Sequence, residues 1–392
     1  MTTLPPTLPD IAAAAPEMVA LRRQLHAQPE LGFEEFATSQ LIADKLAGWG
    51  YEVHRGIAGT GVVGTLRGSG SGHKRLGLRA DMDALPILET TGLPYASRIS
   101  GRMHACGHDG HTATLLAAAR VLGLTRGFDG TLNLIFQPAE EGLGGARRMI
   151  DEGLFERFPC DAIYAFHNLP GYPAGLLGFR DGVLYNSSDT VIVTVRGRGG
   201  HGSMPHRAVD PVVAAAHTVI ALQTLVSREV DPNEFAVVTV GALHAGDAPN
   251  VIPPSAELRL TVRARTPAVR AYLRDRITAL VQAQAAVHGA TAEVDYRWRY
   301  PPVVNDRGAT AFARQVALAW AGPEALIADL PAQHASDDFA LMLERVPGCY
   351  MVVGNGDGEG SCFAHNPGYD FNDRILPSTA SYWVELVRRF LA

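Results

Sequence analysis

Between residues 51 and 167 the chain alternates short, almost uninterrupted apolar runs with helical stretches, and this alternation narrows the fold more than any other feature. Extended patterns cover residues 51–57, 62–66 and 76–80, the run TLNLIFQ from Thr131 and DAIYAFH from Asp161. Helical patterns cover TSQLIADKLAGWG, which opens at Thr38 and stops at Gly50, and residues 112–122. A strand that is apolar along its whole length must be covered on both faces, which predicts an α/β layer with helices on either side of its sheet.

After about Gly182 the pattern changes. A strand over 190–196 precedes a helix over 211–229 opened by Asp210-Pro211, then strands over 235–243 and 256–265, a helix over 267–288 and a strand over 291–300. That order is βαββαβ, a ferredoxin-like unit. From about Pro302 the α/β alternation resumes and ends in a helix over 378–391. The simplest account is one discontinuous domain of residues 1–182 and 302–392 with residues 183–301 inserted, since insertions are tolerated where chain ends lie close together. At 392 residues, two domains is also the expectation from length.

Composition excludes several classes. With 47% hydrophobic and 19% charged residues the chain is not of the disordered type. Thirty-four Lys and Arg against 40 Asp and Glu leave a net charge of −6, without the basic field that nucleic acid requires. No run approaches the roughly 18 apolar residues of a membrane span; the best, 212–226, is broken by His217, Thr218, Gln223 and Thr224. No Lys or Arg precedes Arg22, so a secretory leader is not expected. Cys106, Cys160, Cys349 and Cys362 are too scattered for a disulfide scaffold, and a cytoplasmic protein is expected. The 14 His stand out, because His is the commonest metal ligand and proton carrier.

In Met103–His111 (MHACGHDGH), Cys106 and His108 are spaced to converge on one ion from a loop entering a helix, with Asp109 and His111 behind them. The same spacing also describes a buried Cys beside helix-capping residues. Glu140 and Glu141 follow the strand TLNLIFQ, where they read either as a solvated turn or as paired carboxylates at the carboxyl end of a buried strand. In the second case one coordinates an ion while its neighbour takes a proton from water and returns it to a leaving amine. His167 ends a strand beside Asn168, and His365 follows the strand CYMVV and a Gly-rich turn; each alone also fits a structural His. Together with Cys106, His108 and Glu141 they make five ligand-type residues on separate loops, a number that suits two ions sharing one ligand. Asp81 and Asp83 alternate at a strand end, so at most one of them is expected to face a given site, and Asp83 is suited to hydrogen-bond a ligating imidazole. In the inserted unit, GRGGHGSMPH carries His201 and His206, while Asn250 and Arg263 read as a turn residue and a surface cation or as substrate contacts.

Other motifs fail. The glycine run 354–360 has Glu359 where a GxGxxG fingerprint needs its third glycine, Ser203 lacks the glycine of a nucleophile elbow, and HExxH is absent.

The stretches LRRQLHAQPELGFEE, LRADMDALPI, MHACGHDGHTA, FQPAEEG, AFHNLP, GRGGHGSMPH, APNVIP and HNPGYDFND closely resemble the amidohydrolase branch of the co-catalytic metallopeptidases. Hippurate hydrolases, N-acyl-amino-acid amidohydrolases and plant auxin-conjugate hydrolases make up that branch. The resemblance implies a mixed-sheet catalytic domain and an inserted lid and dimerisation domain. It implies hydrolysis of N-acyl or N-aroyl amino acids by a homodimer or tetramer. Two divalent ions, zinc or manganese, would be bridged by Cys106, with His108 and His167 completing one shell and Glu141 and His365 the other. Glu140 would be the general base and acid, and Asp83 a supporting carboxylate. His201 would stabilise the oxyanion in its own or a partner's site, and Asn250, Arg263 and His206 would bind substrate. One departure is Asp337 in ASDDF, where the family more often has Glu. The residues alone leave two alternatives open, a thiol amidase with Cys106 as nucleophile and His108 as base, and a non-catalytic binder.

Overall fold

The computed structural model describes residues 4–357 and 362–392, so the end of the 354–360 glycine run lies outside the described residues. The chain divides into two units, one of Met1–Leu184, Val304–Pro331 and Asp338–Ala392, the other of Tyr185–Val303 and Ala332–Asp337.

The first unit is built on a seven-stranded mixed sheet in the order Glu52–Ile57, Gly61–Arg67, Thr131–Gln137, Arg75–Asp81, Ala162–Pro170, Gly348–Gly356, Leu177–Gly178. Its four central strands run parallel to one another and the outer pairs are antiparallel. Alternate residues explain why both faces are covered. Leu76, Leu78 and Ala80 join a core with Leu115, Leu122 and Trp383, from the helices His108–Thr125 and Leu376–Phe390. On the opposite face Arg79 lies over the ring of Phe339, in the short helix Phe339–Leu343. Two of the parallel strands end at the paired Asp81 and Gln137, and the other two run on to the paired Pro170 and Gly356, past His167 and Val352. The loops that follow these strands therefore leave from one edge of the sheet, where open α/β sheets carry their sites.

The second unit is a four-stranded antiparallel sheet in the order Ala236–His244, Ser255–Ala264, Ser188–Arg196, Thr291–Tyr300. With helices Pro211–Thr224 and Pro267–Val287 it has the ferredoxin-like βαββαβ order. The Asp210 carboxylate accepts from the N–H groups of Val212 and Val213, and Thr266 Oγ1 from that of Val269, each cap standing before a Pro. Val191, Val193 and Val195 meet Leu258, Leu260 and Val262 under Leu273, Ile277 and Val281, the apolar stripe of the longer helix. The first of these helices ends at Thr224 in a π turn over Leu225–Glu229, so the single helix expected to 229 changes geometry before its end. Among the described residues no helix is long and apolar enough to cross a membrane.

Candidate metal centre

Three loop segments and the strand Ala162–Pro170 bring a cluster of ligand-type side chains together at the carboxyl edge of the first unit's sheet; His167 lies within that strand, which runs three residues past it, and not on a loop at its end. The loop before helix His108–Thr125 turns at Gly107, whose φ is 98° and where a Cβ would lie 2.2 Å from Asn168 Oδ1 and 2.6 Å from the Tyr369 oxygen. Only glycine fits there, and the turn places Cys106 and His108 side by side. Cys106 Sγ lies 3.3 Å from His167 Nε2. His167 Nδ1 donates to the carbonyl of Asn168 at 2.7 Å, which leaves Nε2 as the atom offered to the cluster. His365, held at a left-handed φ of 67° with its N–H on the Ala105 carbonyl, brings Nε2 to 3.2 Å from Glu141 Oε1.

The ligand atoms of Cys106, His108 and His167 lie within 4.8 Å of one another, as do those of Cys106, Glu141 and His365. The two triads share Cys106. Those of His108, Glu140 and Glu141 form a further such group. Glu140 is buried, which excludes the solvated-turn reading of the Glu pair.

Asp81 and Asp83 depart from the expectation that only one faces the site. Asp83 Oδ1 lies 3.2 Å from His108 Nδ1 and Asp81 Oδ2 lies 3.8 Å from His108 Nε2. The strand ends at Asp81, so the pleat that would send the two carboxylates apart does not extend to Asp83. Asp81 is otherwise engaged by His111 Nδ1 and Arg79 Nη1, both at 2.6 Å, and Arg79 reaches on to Asp338. His111, three residues beyond His108, has its other ring nitrogen 2.7 Å from Asn168 Oδ1. Both nitrogens are thus occupied, so His111 braces Asp81 and Asn168, although its ligand atom also lies within 4.8 Å of those of Asp81 and His108.

Electrostatics supply the test of whether cations fit. Burial opposes a charge on His108, but Asp81, the Cys106 sulfur and Asp83 more than offset it and hold its pKa well above the usual imidazole value. Cys106 and Glu141 push His365 up to about 10. Burial, together with Glu141, raises the Cys106 thiol, and burial with His111 nearby takes His167 down to about 3. His108 Nε2 is buried with no hydrogen-bond partner, a costly state for a polar atom, and the buried Glu141 Oε1 meets His365 Nε2 at 3.2 Å. Sulfur, imidazole and carboxylate donors around the orphaned His108 Nε2 fit divalent transition ions, whose positive charge would meet the same demand that raises His108 and His365.

Of the remaining residues singled out in the sequence, His201, His206, Asn250 and Arg263 belong to the second unit. Strand Gly200–His201 pairs with Val251–Ile252, and the Gly202 N–H donates to the Asn250 carbonyl at 2.8 Å. His201 Nδ1 accepts from Ser203 N–H at 3.1 Å, so its proton sits on Nε2. His206 is exposed, and Arg263 donates to Ser336 Oγ at 3.0 Å.

A family model described as peptidase family M20/M25/M40 matches residues 77–389. The chain belongs to peptidase family M20/M25/M40. As an M20 protein it is a hydrolase of amide bonds. A hippurate hydrolase of Campylobacter jejuni subsp. jejuni is 42% identical over 384 residues, covering 98% of this chain and 99% of that one. IAA-amino acid hydrolase ILR1-like 5 of Arabidopsis thaliana is 40% identical over 384 residues, covering 95% of this chain and 86% of its own. Among solved structures, the Bacillus subtilis YXEP protein, a dinuclear metal binding peptidase from the M20 family, superposes with a TM-score of 0.83 at 32% identity, covering 97% of this chain and 99% of that one.

Proposed function

We propose that this M20 hydrolase cleaves the amide bond of N-acyl or N-aroyl amino acids, hippurate among them, to a carboxylic acid and a free amino acid. The observation that carries this reading is the pair of ligand triads sharing Cys106, with the buried Glu140 within 4.8 Å of His108 and Glu141 ligand atoms but outside both triads. Two divalent ions, zinc or manganese, are assigned to it, one to Cys106, His108 and His167, the other to Cys106, Glu141 and His365. When bound, such ions polarise a carbonyl and make water a stronger acid. Asp83 holds the His108 ring through Nδ1 and the Glu141 backbone through its N–H. Glu140 takes a proton from the attacking water and delivers it to the departing nitrogen, so the products leave as acid and amine.

Residues 183–301 are assigned as the lid and the dimerisation domain. His201, with its proton on Nε2, is the proposed oxyanion donor, and Arg263, Asn250 and His206 are the proposed contacts to the substrate's carboxylate and amide. The names of the two relatives, a hippurate hydrolase and an IAA-amino acid hydrolase, support this substrate class. A hydrolysis screen over N-acetyl, N-benzoyl and indole-acetyl amino acids, with metal analysis of the same sample, tests the reading. Turnover of at least one series by metal-loaded protein is expected. Binding without product across the panel would leave a non-catalytic binder.

A further inference from the structure

The loop that carries Glu140 and Glu141 is held in an unusual conformation, and the residue that holds it lies far away in sequence. Ala139 sits at a φ of 55°, a left-handed backbone that L side chains seldom adopt and that persists only where the surroundings enforce it. The enforcing contact comes from Glu35, which is wholly buried. Its Oε1 accepts the Ala139 N–H at 2.8 Å and its Oε2 accepts from Thr60 Oγ1 at 2.5 Å. On the far side of the pair, Asp83 Oδ2 accepts the Glu141 N–H at 3.0 Å. Two buried carboxylates thus bracket the dipeptide, one at the residue before Glu140 and one at Glu141 itself. The segment around Glu35 also packs tightly there, since a Cβ on Gly32 would meet Ala139 Cα at 3.0 Å.

We propose that Glu35 is a positioning residue for the metal centre, fixing the left-handed turn at Ala139 that aims Glu140 and Glu141 at their sites. The inference rests on the proposed roles of those two side chains. A buried carboxyl needs partners to offset its desolvation, and here one of them is a backbone N–H of the turn itself. Burial raises Glu35 to about 7, only partly countered by Thr60. Oε1 accepts the Ala139 N–H whether or not the group carries a proton. Without Glu35 that N–H is buried and unpaired, and the turn is free to relax toward an ordinary conformation.

The test uses the full metal-loaded chain and two readouts, steady-state kinetics and metal affinity by chelator competition. Glu35→Ala is expected to lose about 10–100-fold in kcat or in metal affinity, the usual loss when a residue supporting the ligands is removed, with KM changed by less than about threefold. Glu35→Gln keeps an oxygen for the Ala139 N–H and is expected to recover to within about threefold. If Glu35→Ala does not fold, Glu35→Asp, one methylene too short to span both partners, carries the same expected loss. A folded Glu35→Ala or Glu35→Asp with kcat and metal affinity within twofold of wild type overturns the proposal, as does Glu35→Gln impaired as severely as Glu35→Ala. A wild-type chain that binds metal but hydrolyses no amide defeats the functional reading alone, because the affinity arm still tests Glu35. One that binds no metal overturns both.

Discussion

Asp83 Oδ1 lies 3.2 Å from Nδ1 of His108, so the carboxylate fixes the ring with Nε2 directed to the cluster. The other oxygen accepts the Glu141 N–H, which makes one buried side chain responsible for two ligands from different loops. Asp83→Asn has one carbonyl oxygen for two donors. It is expected to weaken metal affinity or turnover by about 10–100-fold, measured by chelator competition and initial rates.

Glu140 belongs to neither triad that shares Cys106, so its removal separates proton transfer from metal binding. Glu140→Gln is expected to retain its metal content by elemental analysis while turnover falls by about 10²–10⁴-fold. Near-normal turnover in that variant rejects Glu140 as the base.

Protons and cations compete for the same atoms. His365 is raised to about 10 and the Cys106 thiol is raised as well, so at neutral pH each ion must displace protons on binding. Apparent metal affinity is therefore expected to rise steadily from pH 6 to pH 8, as competitive titrations at each pH will read. Chelator-treated protein should lose activity and regain it on adding zinc or manganese. A thiol amidase with Cys106 as nucleophile would stay active without metal.

His26 is buried with Nδ1 2.8 Å from Asp109 Oδ2 and Nε2 3.2 Å from Glu89 Oε1, and Arg22 Nε meets the same Asp109 oxygen at 3.0 Å. Burial and Arg22 oppose its charge, but Asp109 and Glu89 prevail and raise it to about 9. A folded-state pKa above the unfolded value stabilises the native state fully below about pH 6.5, and this contribution is lost as pH rises toward 9. Its upper bound is roughly 3 kcal/mol. Urea unfolding at a series of pH values should show a falling stability over that window, and His26→Gln should flatten the slope.

The sheet of the first unit could be read from the chain because its strands are apolar nearly end to end, and the second unit because Asp210-Pro211 announces one helix and strands flank both. Helix Pro9–Ala27 was hidden by Pro9 and by Pro16 inside it, although Ile11, Ala14, Met18, Leu21 and Leu25 form its buried stripe. Residues with metal-ligand chemistry stood out by type and by position at strand ends. The braces around them did not. Glu35 is buried while its neighbour Glu34 is exposed, and no local pattern in ELGFEE separates the two. Arg79, Gln137 and Asp338 form a buried polar network that only long-range packing assembles, across 201 and 259 positions of chain.

The central claim is that two cations share the Cys106 sulfur. Anomalous diffraction from crystals of the zinc- or manganese-loaded protein measures it directly. The account requires two peaks per chain about 3.5–4 Å apart. Both must lie within bonding reach of Cys106, with His108 and His167 on one and Glu141 and His365 on the other. A single peak, or peaks away from these side chains, contradicts it.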